Sequence, residues 1–437
     1  MLYAYPRVLP LGQTLTIRLR SEKPVFAAGE FVALFTACEV FKNEQSATQG
    51  EVISGFEVFH TTNKPVERLA EVESPFVCRV TLCCPAEQEY ILRVYQQTGT
   101  GRQPVDTACI YAIEPDLCSL LPFKGDLHLH SWHSDGENSP LCMAAACREK
   151  GFDFMALTDH GKFGPSQELR RTLQGISNLG FEAYTGEEIH LPWHQTHILN
   201  IGGSASVNQV FLQSSEDFLT QVAALKGSVN LPEAVDEYQY LSALWAFDKV
   251  REYGGLSVFC HPYWRRPSGF ELCAQLTEAL LQSSRFDALE LISGYGKHDT
   301  DSNLLQVARY FDLERRPPIV GVSDAHAAYS SQVPAGEYLL GAFYTLVLDR
   351  SNKFEDIRAG ILDRLSVAVE HQEQEQRHIY GPYRLVKYFQ FLAREFFPEH
   401  DALAAREAAA IRGLEAGEPA LGLAAAMEQL YRQAFAT

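Results

Sequence analysis

Ten of the fourteen histidines in this 437-residue chain fall between positions 128 and 326, and most end a strand-like segment or lie just after one. Read in order, the candidates are His128 and His130 in DLHLH, Asp135 in HSDG, His160 in LTDH and Glu188 in TGEEIH, followed by His197 in THIL, His261 in CHP, and Asp324 and His326 in SDAH. Imidazole and carboxylate donors without thiolate suit zinc, manganese or ferrous iron. Residues two apart on a strand point the same way, so His128 and His130 can hold one ion together, and so can Asp324 and His326. Asp135 can reach back over the end of the first strand, and the two oxygens of Glu188 can bridge two ions. A lone His-x-His is often an accident. Nine donors in order on successive strand ends are harder to produce by chance, because converging buried polar groups without an ion would leave many unsatisfied.

The elements that must position these groups alternate in type after Pro122. GDLHLH (125–130), FDFMALTDH (152–160), FEAYTGEEIHL (181–191), THILNIGG (196–203), LSVFCHP (256–262), ALELISG (288–294) and PIVGVSDAH (318–326) read as strands. A helix follows from Pro140 to Lys150, with Ser139 as its N-cap. Further helical stretches cover 215–226, 237–253, 270–283 and 301–315. This alternation predicts an α/β domain whose reactive groups sit on loops at the C-terminal ends of strands. Residues 204–236 carry no readable motif and are expected to form helices beside the site opening.

Residues 1–118 read as β structure. TLTIRLR (14–20), FVALFTACEVF (31–41), FVCRVTLCC (76–84) and YILRVYQQ (90–97) are separated by turn-forming stretches such as NEQSATQG. An immunoglobulin-like β-sandwich is expected, serving as a scaffold or recognition module, since its only histidine is His60. Residues 373–437 are expected to be a helical extension packed on the domain before them.

Composition narrows the function classes. With 46% hydrophobic and 21% charged residues, the chain reads as a globular protein of two or three domains. No run of eighteen apolar residues predicts a membrane span, and the N-terminus lacks a basic region followed by an apolar one, so a cytoplasmic location is expected. The net charge of −18 disfavours tight binding to long nucleic acid, while small phosphorylated molecules stay accessible because bound metal ions reverse the local potential. Ten scattered cysteines without a Cys-x-x-Cys pair read as free thiols. Oligomeric state is not legible.

Taken together, GDLHLHSWHSDG, MALTDHG, TGEEIH, THILNIGG, the DKVREYGGLSVFCHP run, ALELISG and VGVSDAH resemble the PHP (polymerase and histidinol phosphatase) superfamily of metal-dependent phosphoesterases, from roughly 122 to 372. The resemblance implies a multidomain α/β chain with a distorted (β/α)7 barrel at 119–372 and a site for three divalent ions (zinc, manganese or iron). Carried onto this sequence, His128, His130, Glu188 and Asp324 would hold the first ion. Asp135, His160 and His326 would hold the second, and Glu188, His197 and His261 the third, with Glu188 bridging. The family pattern favours Glu188 over the adjacent Glu187. It gives no role to His133, His190 or His194, although His190 shares a strand face with Glu188, and it leaves Asp126 a supporting position.

The implied reaction is hydrolysis of a small phosphate ester by a metal-bound hydroxide. No Gly-x-Ser-x-Gly is present, and strand alternation predicts that Cys260 faces away from His261. Arg265 and Arg266 could fork a substrate phosphate or remain a solvated pair. Three other readings compete: a binding protein with a metal-stabilised scaffold, a hydrolase of amides or non-phosphate esters, and one acting on short oligonucleotides.

Overall fold

The computed structural model describes residues 2–39, 46–53, 56–176, 178–266, 268–294, 300–329, 340–371, 377–415 and 424–436. The chain divides into two compact units. One comprises Met1–Leu120, Lys387–Pro398 and Glu428–Thr437, the other Leu121–Val386 and Glu399–Met427.

The first unit is built on β structure. In spatial order its sheet runs Leu2–Tyr5, Thr14–Ser21, Val77–Cys83, Val66–Ser74, Phe31–Ala37, Gln88–Thr98, Gly101–Ile113 and Val8–Pro10. Along Thr14–Ser21, Ile17 and Leu19 are buried while Thr14, Thr16, Arg18 and Arg20 are exposed, the period of a half-buried strand. Hydrogen bonding links all eight strands in one order rather than in two separate sheets. The stretch read as a turn, NEQSATQG, instead enters a strand at Ser46. Ser46–Ile53 pairs antiparallel with Phe56–Asn63, and that partner supplies the backbone bonds that composition alone did not reveal; residues 43–45 lie outside the described residues.

The C-terminal stretch expected as one helical extension opens instead with a strand, His378–Tyr380, before the helices Tyr383–Glu395, Phe397–Glu415 and Ala424–Ala434. It is shared between the two units because its aromatic face has partners in the first. Tyr388 and Phe391 lie 5.1 and 5.4 Å from Tyr111.

The second unit is mixed α/β with two curled sheets. In one, Glu182–Tyr184, Phe154–Ala156 and Leu121–Asp126 run parallel, and Phe343–Asp349, Ser366–Glu370 and His378–Tyr380 extend it antiparallel. In the other, Gly186–His190, His197–Ile201 and Leu256–Phe259 pair antiparallel, and Ala288–Ile292 and Ile319–Gly321 continue parallel. Isolated parallel bridges at Leu129–Ala325 and His160–Glu188 join the two sheets at their strand ends. Strands buried on both faces, such as ALELI at 288–292, read as apolar runs because helices cover them. The helix Glu237–Glu252, capped by Asp236, packs Leu244, Phe247 and Val250 into that core.

Candidate metal centre

Regular pairing stops before most of the candidate donors. The first strand ends at Asp126, so His128 and His130 lie just beyond it rather than within it. Their alternation survives because the Leu129–Ala325 bridge and the His130 N–H bond to the Ala325 carbonyl (3.0 Å) keep that backbone extended. His261 follows Leu256–Phe259, and Asp324 follows Ile319–Gly321. Both adopt left-handed backbone, with φ of 22° and 51°. Such values are costly for side-chain-bearing residues and cluster where a site over-determines them.

All nine predicted donors meet. Glu188 is fully buried at the centre. Its Oε1 lies 2.6 Å from His197 Nδ1 and 3.4 Å from His261 Nε2. Its Oε2 lies 2.7 Å from His160 Nδ1, 3.4 Å from His128 Nε2 and 3.5 Å from His130 Nε2. Asp324 Oδ1 approaches the same two nitrogens of His128 and His130 at 3.3 and 3.0 Å. Asp135 sits 3.1 Å from His160 Nε2 and 3.4 Å from His326 Nε2. Donor atoms within 4.8 Å of one another form the groups His130–Asp135–His160–His326, His128–His130–Asp324 and Glu188–His197–His261.

The short distances around Glu188 are not hydrogen bonds. His128 Nε2, His130 Nε2, His160 Nδ1 and both Glu188 oxygens are buried and make no hydrogen bond of acceptable geometry. Buried polar atoms are otherwise almost always paired. Five such atoms aimed into one space, all nitrogen or carboxylate oxygen, fit divalent cations. Their electrostatics agree. Burial alone would push the carboxyls of Glu188 and Asp324 up, yet the surrounding imidazoles hold both far below the usual range, His197 and His128 leading for Glu188 and His128 for Asp324. Burial would lower His160 and His326, but Asp135, with Glu188 on His160 and Asp324 on His326, lifts them to about 10 and about 9. His197 goes the other way, to about 4, mainly through burial. The cluster draws in positive charge.

Around the donors lies a ring of groups that orient them. Glu290 is fully buried, 3.0 Å from His128 Nδ1, and its other oxygen accepts the His261 N–H at 3.1 Å. Such a contact fixes which imidazole nitrogen faces the ion. Reading ALELISG only as a strand missed Glu290; a carboxylate inside an otherwise apolar, fully buried strand was the available signal. Asp159 accepts Ser131 N, Ser131 Oγ and Ser134 Oγ at 2.6–2.8 Å, fastening the loop that carries Asp135. Asp126 accepts the N–H groups of His128 and Ser323, tying the first and last donor loops together. Glu187 points to the opposite face, where Asn200, Ser206, Val207 N–H and Asn208 satisfy it.

Two expectations need adjusting. Cys260 does not face away from its neighbour: its sulfur lies within 4.8 Å of donor nitrogens of His128 and His261, since the left-handed turn at His261 breaks strand alternation. Burial, then Glu290, Glu188 and Asp324, push its thiol well above the ordinary range, so it is a neutral thiol. The arginines also separate. Arg265 and Arg266 form a short strand paired with Gly269–Phe270. Arg266, bonded to Glu271 and 4.8 Å over the Trp264 ring, lines the cleft of about 590 Å³ that opens onto the donors, whereas Arg265 lies over Phe270. His194 is engaged elsewhere, with ring nitrogens bonded to Gln239 O (2.6 Å) and Thr196 N (2.8 Å).

Several known proteins are similar to this chain. A curated relative, the DNA polymerase/3'-5' exonuclease PolX of Bacillus subtilis, is 46% identical over 257 residues, spanning 55% of this chain; the chain covers 41% of that relative's length. Among solved structures, a two-domain protein of Bacteroides vulgatus containing a predicted PHP-like metal-dependent phosphoesterase shares 20% identity over 63% of this chain and 71% of its own, with a TM-score of 0.41. A Bifidobacterium adolescentis protein taken to be a metal-dependent phosphoesterase shares 17% over 49% and 90%, with a TM-score of 0.32. The PHP domain model matches residues 126–303, the stretch that supplies seven of the nine donors.

Proposed function

We propose that this protein is a metal-dependent phosphoesterase acting on a small phosphorylated molecule. The observation that carries the reading is the set of buried nitrogens and oxygens around Glu188 that lack hydrogen bonds. In this reading His128, His130, Glu188 and Asp324 hold one divalent ion, Asp135, His160 and His326 a second, and Glu188, His197 and His261 a third. Bound ions would supply a water acidic enough to attack near neutral pH and positive charge for the phosphoryl oxygens. The chain's own contribution is rigidity. Glu290 and Asp159 hold donor loops in place, and left-handed turns at His261 and Asp324 aim their side chains inward. Arg266, braced by Glu271 and Trp264, presents a guanidinium to the cleft and would hold a non-transferred or transferred phosphate oxygen.

The test combines metal analysis of the purified protein with an ester panel on the same sample. The expected result is about three divalent ions per chain and release of phosphate or nitrophenol that stops on chelation. A metal-loaded protein inert on phosphomonoesters, phosphodiesters, carboxylic esters and amides alike would overturn the catalytic reading. Turnover of carboxylic esters or amides alone would move the substrate class.

A further inference from the structure

We infer that His190 is a tenth metal ligand, which closes an open position on the ion of Asp135, His160 and His326, to which Glu188 then also contributes; this rests on the proposed metal centre. His190 ends the strand Gly186–His190, two residues beyond Glu188 and on the same face. Its Nε2 stands 3.8 Å from Glu188 Oε2, the oxygen that also faces His160 Nδ1 at 2.7 Å. Donor atoms of His160, Glu188 and His190 all fall within 4.8 Å of one another. Two donors on one tetrahedral ion with bonds of about 2 Å stand roughly 3.3 Å apart, so a small closure onto a cation satisfies this trio.

The ring is held ready without being consumed. It stacks on His197 at 4.2 Å and meets His160 edge-on at 4.4 Å, while the His190 backbone N–H is fixed by Asn208 at 3.1 Å. Neither ring nitrogen hydrogen-bonds a described residue, in contrast to His194, whose two nitrogens are both engaged. His190 also stands at the cleft lining, with 41% of its side chain exposed, so it can release an ion's coordination position as substrate enters.

The experiment measures metal retention by the full chain and its His190→Ala variant in zinc buffered by a competing chelator, with ion stoichiometry read by elemental analysis. A cobalt-loaded sample of each gives a visible spectrum sensitive to ligand number. The wild-type chain should retain about three ions. In His190→Ala one of them should be lost at a free zinc level about tenfold higher than in the wild type, with a changed cobalt spectrum, since even outer groups change metal affinity by about tenfold or more. Identical retention and spectra in both proteins would overturn the inference while leaving the nine-donor centre intact. A wild-type chain that takes up no metal would instead bring down the centre itself and His190 with it. Because His190 is exposed, unfolding is not the expected cause of loss, and equal thermal transitions of the two metal-free proteins check this.

Discussion

Two clusters of charged groups are buried in the same unit, and they are wired differently. Beneath the helix Phe397–Glu415, Lys124 Nζ lies 2.8 Å from both Asp401 oxygens, and Asp401 lies 3.0 Å from His400. His400 reaches Asp153 at 2.8 Å, Arg148 meets Asp153 at 3.0 Å and the Phe152 carbonyl at 2.7 Å, and Arg148 Nε donates to Glu407 at 2.9 Å. Glu407 in turn accepts the Gly180 N–H at 3.2 Å. Gly151, at φ 81°, leaves space for Asp401 that a Cβ would fill, 2.1 Å from its carboxylate oxygen. Only Arg148 Nη2 lacks hydrogen-bond alignment, and it still sits 2.7 Å from Glu407. This network closes on itself. The cluster around Glu188 does not: buried nitrogens and carboxylate oxygens crowd one space without hydrogen bonds among them. Buried charge that is internally paired fastens elements together, whereas buried charge left open has a partner still to come.

The sharpest way to break this contrast is Glu188→Ala. Ester hydrolysis should fall on the order of a thousandfold or more, while the metal-free protein still folds, since the Glu188 carboxylate accepts no hydrogen bond. Failure of the metal-free variant to fold would show that Glu188 is a structural partner after all. Arg148→Met should behave oppositely. It removes the guanidinium that Asp153 and Glu407 share and should cost about 3–5 kcal/mol in urea unfolding. A loss below about 1 kcal/mol would erase the distinction between the clusters.

Chelation gives the next largest effect. At a free metal level a hundredfold above Kd, binding stabilises the native chain by about 2.7 kcal/mol per site. The thermal transition should therefore fall on chelation in the wild type and in a conservative Lys124→Arg chain, yet barely move in Glu188→Ala.

The smallest effect is one of pH. Burial would lower His400, but Asp153 and then Asp401 raise it above the ordinary value. Its stabilising contribution is therefore complete below about pH 6.5 and is lost as pH rises through the raised folded value. Burial would raise Asp153, but His400 and Arg148 hold it low, so its contribution is present above about pH 3.9 and disappears as pH falls through the lowered value. Thermal transitions of wild type and His400→Gln between pH 5 and 9 should converge on the alkaline side; parallel curves would mean that His400 carries no such charge.

The donors were legible because their chemistry is rare and their order along the chain follows strand ends; His128, Asp324 and the rest needed no knowledge of the sheets. Less was legible where function depends on contact with a distant segment. Glu290 reads as one polar residue in an apolar strand until His128, 162 positions away, is seen against it. Arg148, Asp153 and His400 gave no sign of one another, since nothing local links residues 247 apart. Cys260 was misplaced because period-two alternation assumes a regular backbone, and the left-handed turn at His261 ends it.

The sequence by itself determined the kinds of donors, their succession along an α/β alternation, and the amphipathic period of strands such as Thr14–Ser21, because residue type and local spacing are properties of the chain alone. Only the tertiary structure decided that the C-terminal helices are shared between two units, and which charged groups are closed into pairs and which are left open. Those choices depend on what lies opposite each side chain across tens or hundreds of residues, and hydrogen-bond satisfaction is settled there.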